Sequence, residues 1–436
     1  MREQLRISYT APDSLLIDEL LNVQKLLSNL IFTPKLNICG VFSVRFLINL
    51  IFDPEMKFNR HILIILLLPL LFSCRSESEK TSTGGSAEGR TIPVEYASGF
   101  HIEDFGDYHI LTVENPWPGS EKAFRYLLYE EGASIQEGIS ADAKIKVPVE
   151  RIVVTSTTHI PSLEALGVEK SLVGFPGLQY ISSENTRKRI SEGKVQELGE
   201  NEALNTEILL SLDPDLVVAF AVDGSNRTLN TISKSGIPVV YNSDWTEDSP
   251  LGKAEWIKFF GAFFQKNEEA ATYFEEVEEA YLDARDLAKQ AKETPTALAG
   301  SMFKDQWFLP TGKSWHGQFF KDANARYLYE DTKGGGSLAL SFEAVLAKAK
   351  AADFWIGPAQ FQSYEEMTAA SPHYAEFSAF QEKQIYTFSS EKGETGGVLF
   401  YEMAPNRPDL VLMDLISIFH PELLPDYETT FYKPLQ

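Results

Sequence analysis

The chain is 436 residues long and carries 62 acidic against 39 basic residues, a formal net charge of −23. A surface that acidic argues against a nucleic-acid partner, and two cysteines, Cys39 and Cys74, leave no disulfide framework to hold a small fold. The length admits two domains or one large two-lobed body, whose stability must come from apolar burial.

In residues 1–55, Leu/Ile-rich pieces such as SLLIDELLNVQKLLSNLIF and FSVRFLINLIF are broken by Pro34 and Pro54, with few residues to cap or solubilise a packed domain. They are expected to be an upstream extension, with translation starting at Met56. Residues 56–73 place Lys57, Arg60 and His61 before an apolar run too short for a comfortable membrane span, the grammar of an export signal. Leu71-Phe72-Ser73-Cys74 resembles the bacterial lipobox, which implies that Cys74 is lipidated and begins the mature chain. Residues 74–93 are largely polar and Gly/Ser-rich and predict a flexible tether.

From residue 94 the elements become readable. YHILTVENPWP and FRYLLYEEG read as two strands of a hairpin at the edge of a first lobe, assigned here to 94–250. Apolar runs of strand length then alternate with short helices: RIVVTS, IPSLEALG, SLVGFPG, TEILLSL, LVVAF, a helix over 225–234 and IPVVYNS. Short buried strands alternating with helices predict a parallel sheet covered on both faces. Residues 251–295 form a helical block, with one helix over 251–264 and a second opening at Asn267, read as its N-cap, and running to about Lys292. Phe274, Val277, Tyr281, Ala284, Ala288 and Ala291 draw one apolar stripe along this second helix, long enough to bridge two lobes. The alternation resumes over 296–436: strands in TALAGSMF, WFLP, DFWIGP and QIYTF, helices over 314–323 and 341–351, and a closing helix in PDLVLMDLISIFHPELL.

The two halves repeat a local pattern. Asn205 stands at a helix start with Glu207 two positions on and Asp215 at the mouth of the next strand; Ser341, Glu343 and Asp353 do the same. An acid in the first turn favours the helix dipole, which is the plain reading of both glutamates. ERIVVTSTTHIPSLEALGVEKSLVGF, LGENEALNTEILLSLDPDLVVAF, the long helix, FEAVLAKAKAADFWI and RPDLVLMDLISIFHPELLP together resemble the substrate-binding proteins of ABC importers for vitamin B12, ferric siderophores and haem. The resemblance covers residues 150–436. It implies an α/β fold of two Rossmann-like lobes joined by one long rigid helix, the class III periplasmic-binding-protein architecture. It further implies that Glu207 and Glu343 dock onto arginines of a membrane permease working with its ATPase.

In such sheets a ligand meets the loops beyond the carboxyl ends of the strands. That rule nominates His159, Tyr180 and Trp245 in the first lobe, and Trp307, Trp315 and His316 in the second, as ligand-binding residues. So many aromatic side chains suit a large planar or aromatic ligand such as a tetrapyrrole or an iron chelate. His159 or His316 could ligate iron or cobalt within such a ligand, although a lone loop histidine is more often a hydrogen-bonded structural residue. No resident cofactor, no bare metal site and no catalytic residue are expected, since the seven histidines lack helical i, i+4 pairs and no phosphate-binding or dinucleotide fingerprint appears. KGGGS at 333–337 lacks the strand-to-helix context of a phosphate cradle. The expected function is therefore capture of an iron chelate, haem or corrinoid by a monomeric, extracytoplasmic, lipid-anchored protein that delivers it to an ABC permease. The alternatives are a metal-tetrapyrrole chelatase, with His159 or His316 as acid and base, and a surface lipoprotein that scavenges without a permease.

Overall fold

A computed structural model describes residues 89–436 with the exception of Ser225. The upstream extension, the export signal, Cys74 and most of the tether lie outside the described residues. The tether's last residues do not behave as tether: Arg90–Ile92 form a strand paired antiparallel with Phe100–Asp104.

Phe100–Asp104, Tyr108–Glu114 and Ala123–Tyr129 continue as an antiparallel meander, and Ala143–Lys146 adds in parallel to its end. The two expected strands thus exist and pair. They belong to a sheet of their own, however, and do not extend the edge of the parallel sheet. The alternation in YHILTVE explains this. Leu111 and Val113 face the main core while Tyr108 and Ile110 meet Leu127 in a second small cluster, so both faces of the sheet are already covered. The sheet leans on the first lobe through Tyr126, whose hydroxyl accepts the Tyr241 N–H at 3.1 Å.

The first lobe is a fully parallel sheet in the spatial order Val239–Tyr241, Leu216–Ala219, Ile152–Val154, Leu172–Phe175, Gln196–Glu197. Numbered along the lobe, that order is 5-4-1-2-3, a doubly wound arrangement whose direction reverses between Ile152–Val154 and Leu216–Ala219. The second lobe orders Arg326–Tyr327, Thr296–Ala299, Phe354–Ile356, Ile385–Thr387 and Lys433–Pro434. All its pairs are parallel except the last, and its order, 2-1-3-4-5, reverses between Thr296–Ala299 and Phe354–Ile356. WFLP is a strand as expected, Gln306–Pro310, but it sits in a separate antiparallel ribbon between Ser301–Phe303 and Ser337–Leu340. Gly300 makes the bend into that ribbon: its φ is +74°, and a Cβ there would stand 1.9 Å from the Phe308 carbonyl oxygen.

The linking helix spans Asn267–Ala288, about 33 Å at 1.5 Å per residue. It buries Ala270, Phe274, Val277, Tyr281, Ala284 and Ala288 against the helices Ile257–Phe264 and Pro408–Phe419. Near its start Phe274 meets Tyr96, and further along Tyr281 donates to the Asp322 carboxylate at 2.6 Å in the second lobe. Three details differ from the sequence reading. The helix ends at Ala288 and not near Lys292, which leaves Ala291 outside it. Lys266 holds the N-cap position and Asn267 is already helical, so the capping side chain was misassigned. The preceding block is two helices, Pro250–Ala254 and Ile257–Phe264, because Glu255 and Trp256 at the break turn to other work. The Glu255 carboxylate accepts the N–H groups of Glu95, Tyr96 and Ala97, and Trp256 packs on Phe100.

Candidate functional site

Both points of strand-order reversal open onto the same side, where the lobes face each other. A cavity of about 800 Å³ lies there, lined from the second lobe by Ala299 and Gly300 after one strand and Ile356 and Gly357 after its neighbour. From the first half it is lined by Trp245 to Asp248 and by the hairpin loop Asn115–Ser120. A smaller cavity of about 300 Å³ sits at the first lobe's own reversal, between Thr155–Thr157 and Phe220, and reaches Val398 and Tyr401 of the second half. An apolar groove of about 880 Å³ shares Gly300, Phe308 and Gly357 with the main cavity and continues past Phe303 and Phe361.

Aromatic side chains wall the main cavity. Trp245, 38% exposed, sits in the turn that follows Val239–Tyr241. Trp315 opens the helix Trp315–Asp322, whose Ser314 hydroxyl accepts the Gly317 N–H at 3.2 Å. His316 follows it, its ring 4.4 Å from that of Trp315. Burial, reinforced by the positive charge of Lys253, pushes the His316 imidazole down to about 4, so it is neutral at physiological pH and its ring can accept or ligate. Lys253 itself is 6% exposed and donates to the carbonyls of Asp244 and Trp245 at 2.8 and 3.0 Å, with its Nζ 5.1 Å from the centre of the Trp315 ring. Burial holds its pKa below the usual lysine value, partly offset by Asp244, Glu247 and Asp248. Beneath the wall, the buried Glu247 carboxylate accepts from the Ser98 and Gly99 N–H groups, the Ser98 hydroxyl and the Trp256 indole.

The structure brings Trp245, Trp315 and His316 together and separates the other three candidates from them. Tyr180, 59% exposed, lines the smaller cavity. Trp307 is a correction. It is 0% exposed, its indole donates to the Ala299 carbonyl at 3.0 Å, and it packs against Trp355, Tyr374 and Phe377. Neighbouring residues of a strand point to opposite faces, so with Trp307 inward it is Phe308, 41% exposed, that reaches the cleft. His159 is the second correction. It is 0% exposed, against Phe260, with the Asn242 side chain as its polar neighbour. Burial lowers its pKa despite the opposing pull of Asp244 and Asn242. It begins a helix, and the first turn carries it down into the core, away from the loop, so it can neither ligate a metal in the cleft nor act as a proton donor there. Sequence reasoning missed Trp117, on the hairpin loop and packed edge-on to Tyr241, as well as Phe308, Phe388 and Tyr432. Only Trp117 carried a signal, an aromatic beside two prolines in a turn.

Glu207 and Glu343 are both exposed, each the second residue of its helix, Thr206–Leu212 and Phe342–Ala349. The helices are capped alike, by Asn205 accepting the Ile208 N–H and Ser341 accepting the Ala344 N–H. Hydrogen bonds from its own backbone N–H and from Ser341 lower the pKa of Glu343, with a smaller pull from His373. The aspartates that complete the repeat also act alike. Asp215 accepts the N–H groups of Glu150 and Arg151 at the foot of one parallel strand, and Asp353 accepts that of Thr296 at the foot of the other. Each helix runs back along its sheet, so both glutamates stand at the carboxyl-end side onto which the cleft opens. Among the described residues no group of three or more His, Cys, Asp or Glu side chains could hold a metal ion, and no helix is long and apolar enough to cross a membrane.

Two doubly wound lobes, one linking helix and a cleft at the strand-reversal points define a two-lobed binding protein of the class III kind. The sequence model of the periplasmic binding protein family matches residues 152–391, and the chain belongs to that family. Among its relatives are two uncharacterized lipoproteins of Methanocaldococcus jannaschii, each 24% identical. They align over 403 and 367 residues, covering 85% and 80% of this chain and 94% and 88% of theirs. Similar solved structures include a periplasmic haem-binding protein of Pseudomonas aeruginosa (18% identity, TM-score 0.49, 66% of this chain and 96% of that one). Another is a periplasmic vitamin B12-binding protein of Vibrio cholerae (16%, 0.44, 62% and 97%).

Proposed function

We propose that this protein is an extracytoplasmic, lipid-anchored binding protein that captures an iron chelate, haem or corrinoid between its lobes and delivers it to an ABC permease and its ATPase, performing no chemistry itself. The observation that carries the reading is the cavity of about 800 Å³ at the lobe interface, with Trp117, Trp245, Phe308 and Trp315 on its walls. Flat π-faces around a space of that size suit a large planar or macrocyclic guest. The neutral imidazole of His316 on the same wall suits axial ligation of its metal. The relatives named as lipoproteins support anchoring through Cys74.

Glu207 and Glu343 are the docking residues in this reading. Paired exposed carboxylates steer encounter with a basic surface and fix orientation more than they add affinity. Replacing both with alanine is expected to abolish uptake of the guest by cells while its affinity for the purified protein stays within about twofold. Retained uptake would favour scavenging without a permease, and lost affinity would place the glutamates in the binding site instead.

A further inference from the structure

We infer that the guest of the inter-lobe cleft is neutral or positively charged, and that Asp248 is the residue that selects against anions. The inference rests on the proposed function and narrows it, dividing corrinoids and cationic chelates from guests that carry free carboxylates or sulfonates.

Charge at the cleft is one-sided. Asp248 and Glu247 line the main cavity, Glu366 the adjoining groove, and Glu200 and Glu202 the smaller cavity; among the described residues no arginine or lysine lines any of the three. An anionic guest entering such a space would surrender its water with no cation to receive it and would meet like charge. The nearest lysine does not remedy this. Lys253 spends two of its hydrogens on the Asp244 and Trp245 carbonyls, is buried, and stands outside the cavity lining. Its charge still reaches His316 on the wall, and the N-terminus of the helix Trp315–Asp322 adds roughly half a positive charge, but together these stay below the charge of the two carboxylates, Glu247 and Asp248, that line the cavity.

The carboxylates divide their roles. Glu247 is buried and accepts from four neutral donors, three of them at Oε1, so it acts on the cavity chiefly through its negative potential. Asp248 is exposed and forms no hydrogen bond or ion pair with any described residue. It stands at the lobe interface, close enough to the KGGGS loop that a Cβ on Gly335 would lie 2.1 Å from its Oδ1. An exposed carboxylate on the lining of an aromatic cleft is placed to pair with a cationic rim group while the tryptophans take the guest's face, and an aromatic face itself prefers a cation.

The test uses three porphyrin chelates of one shape and one metal, bearing four N-methylpyridinium groups, four uncharged groups or four sulfonates. Equilibrium dialysis against the purified protein at physiological ionic strength, where general surface attraction is screened, gives stoichiometry and Kd. One-to-one binding of the cationic and neutral chelates, with the sulfonate at least about tenfold weaker, is expected. The gap should narrow in Asp248→Asn and reverse in Asp248→Lys, with the circular dichroism of both variants unchanged. Equal or tighter binding of the sulfonate, or a gap that Asp248→Asn leaves untouched, overturns the inference while the chelate reading stands. Failure of all three chelates to bind overturns the chelate reading, and the inference falls with it.

Discussion

Trp245 and Trp307 are the same side chain put to opposite uses, and their substitutions should separate accordingly. Trp307→Ala removes a fully buried indole from among Trp355, Tyr374 and Phe377, and is expected to cost about 3–5 kcal/mol of stability in denaturant unfolding. Trp245→Ala removes a ring that is 38% exposed, so it should change stability by about 1 kcal/mol or less and act on guest affinity instead. A large stability loss for Trp245→Ala would mean that it is core after all. The sequence shows that Trp307 and Phe308 face opposite ways, since strand periodicity requires it. Which of them faces inward depends on the ribbon crossing over Trp355, a contact between segments nearly fifty residues apart, and no local pattern encodes that. His159 illustrates the same limit: the loop rule located the end of its strand correctly, but helix phase placed the ring in the core.

At the scale of elements, the lobes are joined by more than the linking helix. Glu402, on the short helix Leu399–Met403, is buried and accepts the N–H groups of Ser182 and Ser183 from the opposite lobe at 2.6 and 2.9 Å. Ser182 also donates to the Gly397 carbonyl, and Asn406 accepts from Ser162 and donates to the Thr158 carbonyl. Burial raises the Glu402 carboxyl from 4.5 to about 7; the two N–H donors and Arg187 pull the other way, and Glu164 adds to the rise. Between pH 4.5 and 7 the folded protein therefore holds a proton that the unfolded chain has released, and this group's contribution to stability falls as pH rises through that window. Thermal unfolding of Glu402→Gln should show a flatter pH dependence there than the parent protein. An identical slope would mean that Glu402 does not titrate in the window. The strand and helix alternation of both halves was readable because buried parallel strands are near-continuous apolar runs. These inter-lobe bonds were not, because they are built from Ser, Asn and Glu side chains and backbone groups whose pairing exists only once the lobes meet.

At the scale of the whole molecule, two sheets with different strand orders present their carboxyl ends to one cleft, and a helix of about 33 Å packed along both sides of the join ties them. A helix used as the hinge, backed by inter-lobe hydrogen bonds, predicts small closing motions and a largely preformed site. The repeat of helix cap, first-turn glutamate and strand-foot aspartate in each lobe was visible in the sequence. The meander preceding the first lobe was visible only as strands, and its role as a wall of the cleft through Trp117 emerged from the fold. The most direct measurement is a tryptophan-fluorescence and visible-absorption titration of the purified protein with cyanocobalamin, haem and a ferric chelate. The account predicts saturable one-to-one quenching by at least one of them, weakened about tenfold or more when Trp245 and Trp315 are both replaced by alanine. No saturable binding by any of the three, or binding indifferent to both tryptophans, would contradict it.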